Sequence, residues 1–284
     1  MYDHLCEIYA RFKAAGVAEP FREAVHLLDL LGDGSLRRID ATAADGMSEC
    51  LAAIEQRGKG TVPLEYLVGR AVFMGNVFHC TPDTLIPTED TDLLVRVVSE
   101  HARGATAPGR RPTIIEIGTG SGNIAITLAL GLEGARILAS DISAGAVEVA
   151  RRNVAKHGVQ DRVSLFCGDM FAPFADLDCR GAVDVVVSNP PYIPTSSLAR
   201  LSSEIVDHEP LVALDGGPYG IDIYRKLIAG AREFLSPQGV LVFEIGERQE
   251  KLVERLLKKT GGYGDIACHE RQGSVRVMSA RKKT

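Results

Sequence analysis

Residues 113–132 read TIIEIGTGSGNIAITLALGL. A short β-branched run is followed by Gly118, Gly120 and Gly122, then by an apolar run of helical length. A strand that hands over to a helix through a glycine-rich turn opens a doubly wound α/β sheet. Glycine lets such a turn adopt left-handed backbone and approach a ligand closely. The helix that follows offers unsatisfied N–H groups to electron-rich ligand atoms. Two nucleotide-binding turns are excluded by spacing. GxGxxG needs glycine where Asn123 or Ala125 stands, and no GKS or GKT follows to make a Walker A loop.

Downstream, the pattern alternates. RILASDI, RVSLFCGD, AVDVVVSN and GVLVFEIG read as strands. AGAVEVARRNVAKHG, YGIDIYRKLIAGAREFL and ERQEKLVERLLKK read as helices. Apolar strands alternating with amphipathic helices imply a parallel sheet covered on both faces. YGDIACHE and SVRVMSA have no helix between them, which predicts an antiparallel hairpin at the sheet edge. The expected fold is α/β: a Rossmann-like seven-stranded sheet with that edge hairpin, preceded by a small N-terminal helical domain.

In that N-terminal part, Leu5, Ile8, Tyr9 and Phe12 recur at helical spacing, as do Phe21, Val25, Leu28 and Leu31. Gly16 and the GDGS run at 32–35 are breaks, and a third helix is expected over 43–57. YLVGRAVFMGNVFHC (66–80) reads as a short hairpin joining two domains. PTEDTDLLVRVVSEHA (87–102) starts a capped helix, and ARGATAPGRRP (102–112) reads as a surface loop. The division is residues 1–62 for helical docking, 63–88 for the hairpin linker and 89–284 for the catalytic domain.

The net charge of −5 over 284 residues argues against broad non-specific binding to nucleic acid. Residues 1–80 hold 8 Lys+Arg against 11 Asp+Glu, which is no basic docking surface. The six cysteines show no CxxC spacing and are read as reduced thiols, mostly filling core positions, of a cytoplasmic chain. MYDHLCEIYARFK has no leader character, and no apolar run is long enough to cross a membrane. His79, His101, His157, His208 and His269 are too scattered to bind metal.

Two acids follow the glycine turn in order. Asp141 ends the second strand in LASDIS, where a ribose-binding acid is expected, and Asp169 ends the third in CGDMF. Either alone is equally a strand-end cap. Together they place polar groups at one crevice, and with no phosphate-binding lysine the set suits S-adenosylmethionine. It resembles the Rossmann-like class I methyltransferases. That resemblance implies that Glu116, Gly118, Thr119, Gly120 and Gly122 line the methionine part. It gives Asp141, with Ile142, the ribose, and sets Asp169 and Met170 beside the adenine, with Asn189 also among the cofactor contacts.

SNPPYIP (188–194) follows the strand AVDVVV. Two prolines extend neither a strand nor a helix interior, so the run is a rigid loop. In class I methyltransferases, Asn-Pro-Pro-Tyr after the fourth strand marks methylation of a nitrogen conjugated to a π system. The Asn189 side-chain oxygen and the Pro190 carbonyl can accept two N–H groups, and Tyr192 can stack on a flat amide or base. Adenine or cytosine amino groups and carboxamides all meet that description.

The flanks narrow the choice. VPLEYLVGRAVFMGNVF, the LIP run, NPPYIP and HEPLVALDGGPYGIDIYRKLI together resemble the HemK/PrmC family over essentially the whole chain. That family methylates the glutamine amide in the Gly-Gly-Gln motif of peptide-chain release factors. The resemblance implies that Asn189 and Pro190 hold the amide, with Pro191, Tyr192 and Glu209 as further substrate contacts. It also implies S-adenosyl-L-homocysteine as product, a release factor as partner, no membrane or stable nucleic-acid binding, and a monomer. Where the family reads IPRPETE or IPRPDTE, this chain has Ile86, Pro87, Thr88, Glu89, Asp90, Thr91 and Asp92. That departure leaves another protein or small-molecule amide open, beside an exocyclic amine of nucleic acid. A non-enzymatic scaffold would show a damaged glycine turn or Asn-Pro-Pro-Tyr loop, and neither is damaged.

Overall fold

The computed structural model describes residues 2–31, 52–58, 60, 62–105 and 110–283. Its centre is a seven-stranded sheet in the order β5-β4-β3-β6-β7-β9-β8. The strands are β3 (Thr113–Ile117), β4 (Arg136–Asp141), β5 (Val163–Cys167), β6 (Val183–Ser188), β7 (Leu235–Glu244), β8 (Tyr263–Arg271) and β9 (Ser274–Lys282). The first five run parallel, and β9 pairs antiparallel with both β7 and β8. From β3 the chain moves outward to β5, then returns to β6 on the other side of β3. Strand order therefore reverses between β3 and β6, which is where doubly wound sheets bind ligands. Ile117 pairs with Ser188, so the glycine turn and the proline loop leave the sheet side by side.

Every residue of β6 is buried. One apolar layer covers a sheet face through the helices Asp90–Ala105 and Asn123–Gly131. A second covers the other face through Asp222–Phe234 and Glu250–Thr260, with Tyr224 wholly buried. Both faces being covered explains why the parallel strands read as unbroken apolar runs rather than alternating ones.

The N-terminal helices Tyr2–Ala14 and Pro20–Leu31 share a separate core built on Phe12, Leu27 and Leu30. Residues 52–58 are helical and add Ile54 to it. The GDGS break and residues 43–51 of the expected third helix lie outside the described residues. Three expectations need correction. Tyr66–Val68 are not strand but part of the helix Leu64–Val68, which starts after Pro63 and stops at left-handed Gly69. The hairpin proper is β1 (Arg70–Phe73) and β2 (Asn76–His79), turning through Met74 and Gly75, both at positive φ. Next, residues 102–105, expected as the start of a surface loop, belong to the helix Asp90–Ala105. Finally, among the described residues Cys80 and Cys179 are buried, whereas Cys6, Cys167 and Cys268 are exposed. Cys167 and Cys268 lie on β5 and β8, the two edges of the sheet. Among the described residues no helix is long and apolar enough to cross a membrane.

Candidate active site

The turn after β3 is built on left-handed backbone at Gly118, Gly120 and Gly122, with φ of 74°, 54° and 80°. At Gly122 a Cβ would also meet the Ile126 and Ala150 side chains at 3.1 and 3.3 Å, so glycine is needed there twice over. Asp141 braces this turn. Its Oδ2 accepts the Gly120 N–H at 2.8 Å and its Oδ1 accepts the Ser143 N–H at 2.9 Å. Burial raises the Asp141 carboxyl above the usual range, and those backbone N–H groups pull it back.

Glu116 lies wholly buried beneath the turn, with Oε2 accepting the Thr119 hydroxyl at 2.7 Å. Its Oε1 makes no full hydrogen bond, although the Ala125 N–H favours the charged form. Burial pushes this carboxyl up to about 8, with the Asp141 charge adding and Thr119 opposing. A folded-state pKa above the unfolded value of 4.5 gives stability that is full below 4.5 and lost as pH rises through about 8. The melting temperature is therefore expected to fall between about pH 4.5 and about pH 8, and Glu116→Gln to flatten that slope. Differential scanning calorimetry checks this, and an unchanged slope in the variant would refute it.

A cavity of about 250 Å³ opens above the turn. It is lined by Gly118, Thr119, Gly120, Asp141, Ile142, Asp169, Met170, Asn189, Pro190 and Pro191 from the sequence-derived set. Glu116, Gly122, Tyr192 and Glu209 are not part of its lining. Ile142 is 56% exposed, an apolar side chain turned to the cavity rather than the core. Met170 sits at φ 49°, its carbonyl held by the Ser140 hydroxyl at 3.0 Å. Asp169 is exposed, with Lys226 Nζ at 3.9 Å. No arginine lines the cavity among the described residues, and Lys226 already faces a carboxylate.

The proline loop adjoins this cavity: a Cβ on Gly118 would lie 4.0 Å from the Asn189 carbonyl oxygen. Asn189 Nδ2 donates to Thr91 Oγ1 at 3.2 Å. Thr91 donates to Glu244 Oε2 at 3.0 Å, and the Tyr192 hydroxyl donates to Glu244 Oε1 at 3.3 Å. Burial pushes the Tyr192 hydroxyl above its ordinary value, chiefly by desolvation and then by the Glu244 charge. The rest of the loop is locked from behind. Gln249 Nε2 donates to the Tyr192 carbonyl at 2.9 Å, and Ile193 exchanges backbone bonds with Leu214 and Gly216. Among the described residues the Asn189 side-chain oxygen and the Pro190 carbonyl accept no hydrogen bond from the protein.

Residue spacing points to neither Thr91, Glu244 nor Gln249. The one signal for Glu244 is an acid inside the apolar run VLVFEIG. The altered segment Thr88–Asp92 is pinned to the edge hairpin: Arg271 reaches Glu89 at 2.6 Å and Arg276 reaches Asp90 at 2.8 Å. Glu209 is half-buried, and burial, with Glu65 and Glu204 adding, pushes its carboxyl up to about 7. Among the described residues no His, Cys, Asp and Glu cluster could hold a metal.

The glycine turn and the Asn-Pro-Pro-Tyr loop meet in one crevice at the β3/β6 reversal, and sequence comparison places the chain among the methyltransferases. Residues 89–217 match the Methyltransferase small domain. A release factor glutamine methyltransferase from Moorella thermoacetica is 41% identical over 264 residues, covering 91% of this chain and 90% of that one. Another so named, from Geobacter sulfurreducens, is 37% identical over 83% of this chain and 78% of its own length. The human methyltransferase 10 domain containing protein shares the fold, with a TM-score of 0.54 at 15% identity, over 74% of this chain and 88% of its own. The chain belongs to the release factor glutamine methyltransferase family.

Proposed function

We propose that this enzyme transfers the methyl group of S-adenosylmethionine to the side-chain amide nitrogen of the glutamine in the Gly-Gly-Gln motif of peptide-chain release factors. The observation that carries this reading is the pair of unused acceptors on Asn189 and Pro190 at the cavity wall. The names of the relatives agree with it.

An amide nitrogen is a weak nucleophile because its lone pair is delocalised. Asn189 Oδ1 and the Pro190 carbonyl accept its two N–H groups and turn the remaining face of the nitrogen toward the cavity. Pro190 and Pro191 fix those directions, so little reorganisation remains at the moment of transfer. Tyr192 backs the loop, and Pro191 and Glu209 border the incoming glutamine. When bound, S-adenosylmethionine supplies an electrophilic methyl on a sulfonium and departs as S-adenosylhomocysteine. No strong base is needed first, because the product sheds its proton afterwards.

The glycine turn, with Glu116 and Thr119 beneath it, cradles the methionine part. Asp141 and Ile142 take the ribose, and Asp169 and Met170 flank the adenine. Asp141 keeps a second lone pair on each oxygen for ribose hydroxyls. Asp141→Ala is expected to weaken S-adenosylmethionine binding about 10- to 100-fold, the worth of one or two hydrogen bonds to a charged group. Calorimetric titration measures it, and unchanged affinity would remove Asp141 from the ribose site.

Residues 1–62 form the docking domain, 63–88 the linker and 89–284 the catalytic domain of a cytoplasmic monomer. Arg57 supports that division of labour, since it ties Glu23 of the helical layer to Glu204 beyond the proline loop, at 2.9 and 2.8 Å. To test the reading, the enzyme is incubated with methyl-labelled S-adenosylmethionine and a release factor, and the product mapped by mass spectrometry. The expected result is one methyl on the Gly-Gly-Gln glutamine. Label on RNA or on another molecule, with none on that glutamine, would overturn it.

A further inference from the structure

Asn189 can accept an amide N–H only if its oxygen, not its NH₂ group, faces the acceptor. We propose that Glu244 and Thr91 are positioning residues that dictate this orientation, deepening the amide-methylation reading above. Counting hydrogens shows how. A carboxylate only accepts hydrogen bonds, and a threonine hydroxyl has one proton to give. Thr91 gives that proton to Glu244 Oε2 at 3.0 Å. Toward Asn189, 3.2 Å away, Thr91 can then only accept. The side-chain NH₂ of Asn189 must turn to Thr91, which leaves Oδ1 to the cavity. The alternative rotamer would set two acceptor oxygens against each other beside a threonine that is only 2% exposed.

The same carboxylate fixes the second arm. Glu244 Oε1 accepts the Tyr192 hydroxyl at 3.3 Å, so that hydroxyl presents its oxygen to Arg276 Nη2 at 3.4 Å. One buried group, 1% exposed, therefore sets the hydrogen-bond polarity of both polar side chains of the loop. The three elements involved meet only by folding: the ends of β6 and β7 and the first turn of the helix Asp90–Ala105. None belongs to the glycine turn, and no side chain of this network bonds to Asp141, Glu116 or Thr119, which brace that turn.

Glu244 must be ionised to play this part. It faces Arg276 from β9, Asp90 and Thr91 from the helix, and Tyr192 from the loop. Burial pushes its carboxyl up to about 7. In the wild type kcat should thus rise with pH through about 7 as Glu244 loses its proton.

The test compares Thr91→Val, which keeps the shape and removes the hydroxyl, with Thr91→Ser, which keeps the hydroxyl. Both are assayed on whichever acceptor the wild type methylates, so the identity of that acceptor is established separately, from the wild-type product. Thr91→Val is expected to lower kcat by about 30- to 100-fold, with the cofactor Kd within about twofold of wild type. Thr91→Ser should stay within about threefold of wild type. Glu244→Gln is the second variant, and its kcat should fall and lose the acid limb near pH 7. The proposal is overturned if Thr91→Val keeps wild-type kcat, if Thr91→Ser fails as badly as Thr91→Val, or if Glu244→Gln retains the acid limb.

Discussion

Asn189→Ala is expected to lower kcat by about a thousandfold while leaving the cofactor Kd within about threefold of wild type. Alanine removes the one side-chain oxygen that meets the acceptor nitrogen and leaves the Pro190 carbonyl to hold the amide alone. Deleting a single preorganised group at a reacting centre costs about two to three orders of magnitude. Loss of the second N–H anchor also frees the nitrogen to rotate, which places this substitution at the upper end. Cofactor affinity should survive because the turn is braced by Asp141, Glu116 and Thr119, none of which touches Asn189. Single-turnover kinetics together with cofactor titration separate the two effects. Equal loss of both would assign Asn189 to the cofactor instead.

Gly220→Ala is expected to have the second largest effect, although the residue lies outside the cavity lining. Gly220 sits at φ 67°, and a Cβ there would fall 2.3 Å from the Tyr192 carbonyl oxygen and 3.0 Å from Gln249 Nε2. Those two atoms form the hydrogen bond that holds the proline loop from behind, 2.9 Å long. The methyl group must break that bond or push the loop toward the cavity. Left-handed strain alone costs about 1–3 kcal/mol, and an ångström of displacement at the acceptors costs about 100-fold in rate. Gly158→Ala is the matched control, since Gly158 has φ 66° and nothing within 4 Å. Both variants should lose melting temperature, but only Gly220→Ala should lose about 100-fold in kcat. Matching activities would show that the glycine serves the backbone and not the loop.

The parts of the molecule legible in sequence share a local cause. Ile114, Ile115 and Ile117 beside three spaced glycines state a strand, a tight turn and a buried face within a dozen residues. VDVVVS ahead of NPPY does the same for β6. Tyr66–Val68 read as strand because the five-residue helix Leu64–Val68 is too short to show a period. Thr91 and Glu244 are hidden for the opposite reason. Asn189 meets Thr91 across 98 positions, and Thr91 meets Glu244 across 153. No spacing rule spans such distances, and Glu244 alone looks like a strand residue in an apolar run. The block DGGPYG is visible as a pattern, but its purpose is steric. Gly216 and Gly220 leave room for the backbone of Pro191 and Tyr192, which lies about the width of one methyl group away.

The placement of β9 brings a late segment of the chain to the acceptor side of the site. β8 comes first in the chain, yet β9 is the strand that pairs with β7. The hairpin of β8 and β9 closes through Gln272 and Gly273, both at positive φ. Arg276, on β9, reaches Asp90 at 2.8 Å and the Tyr192 hydroxyl at 3.4 Å. The polar floor under the proline loop is thus supplied by a residue 84 positions further along the chain, from a hairpin that takes no part in the glycine turn.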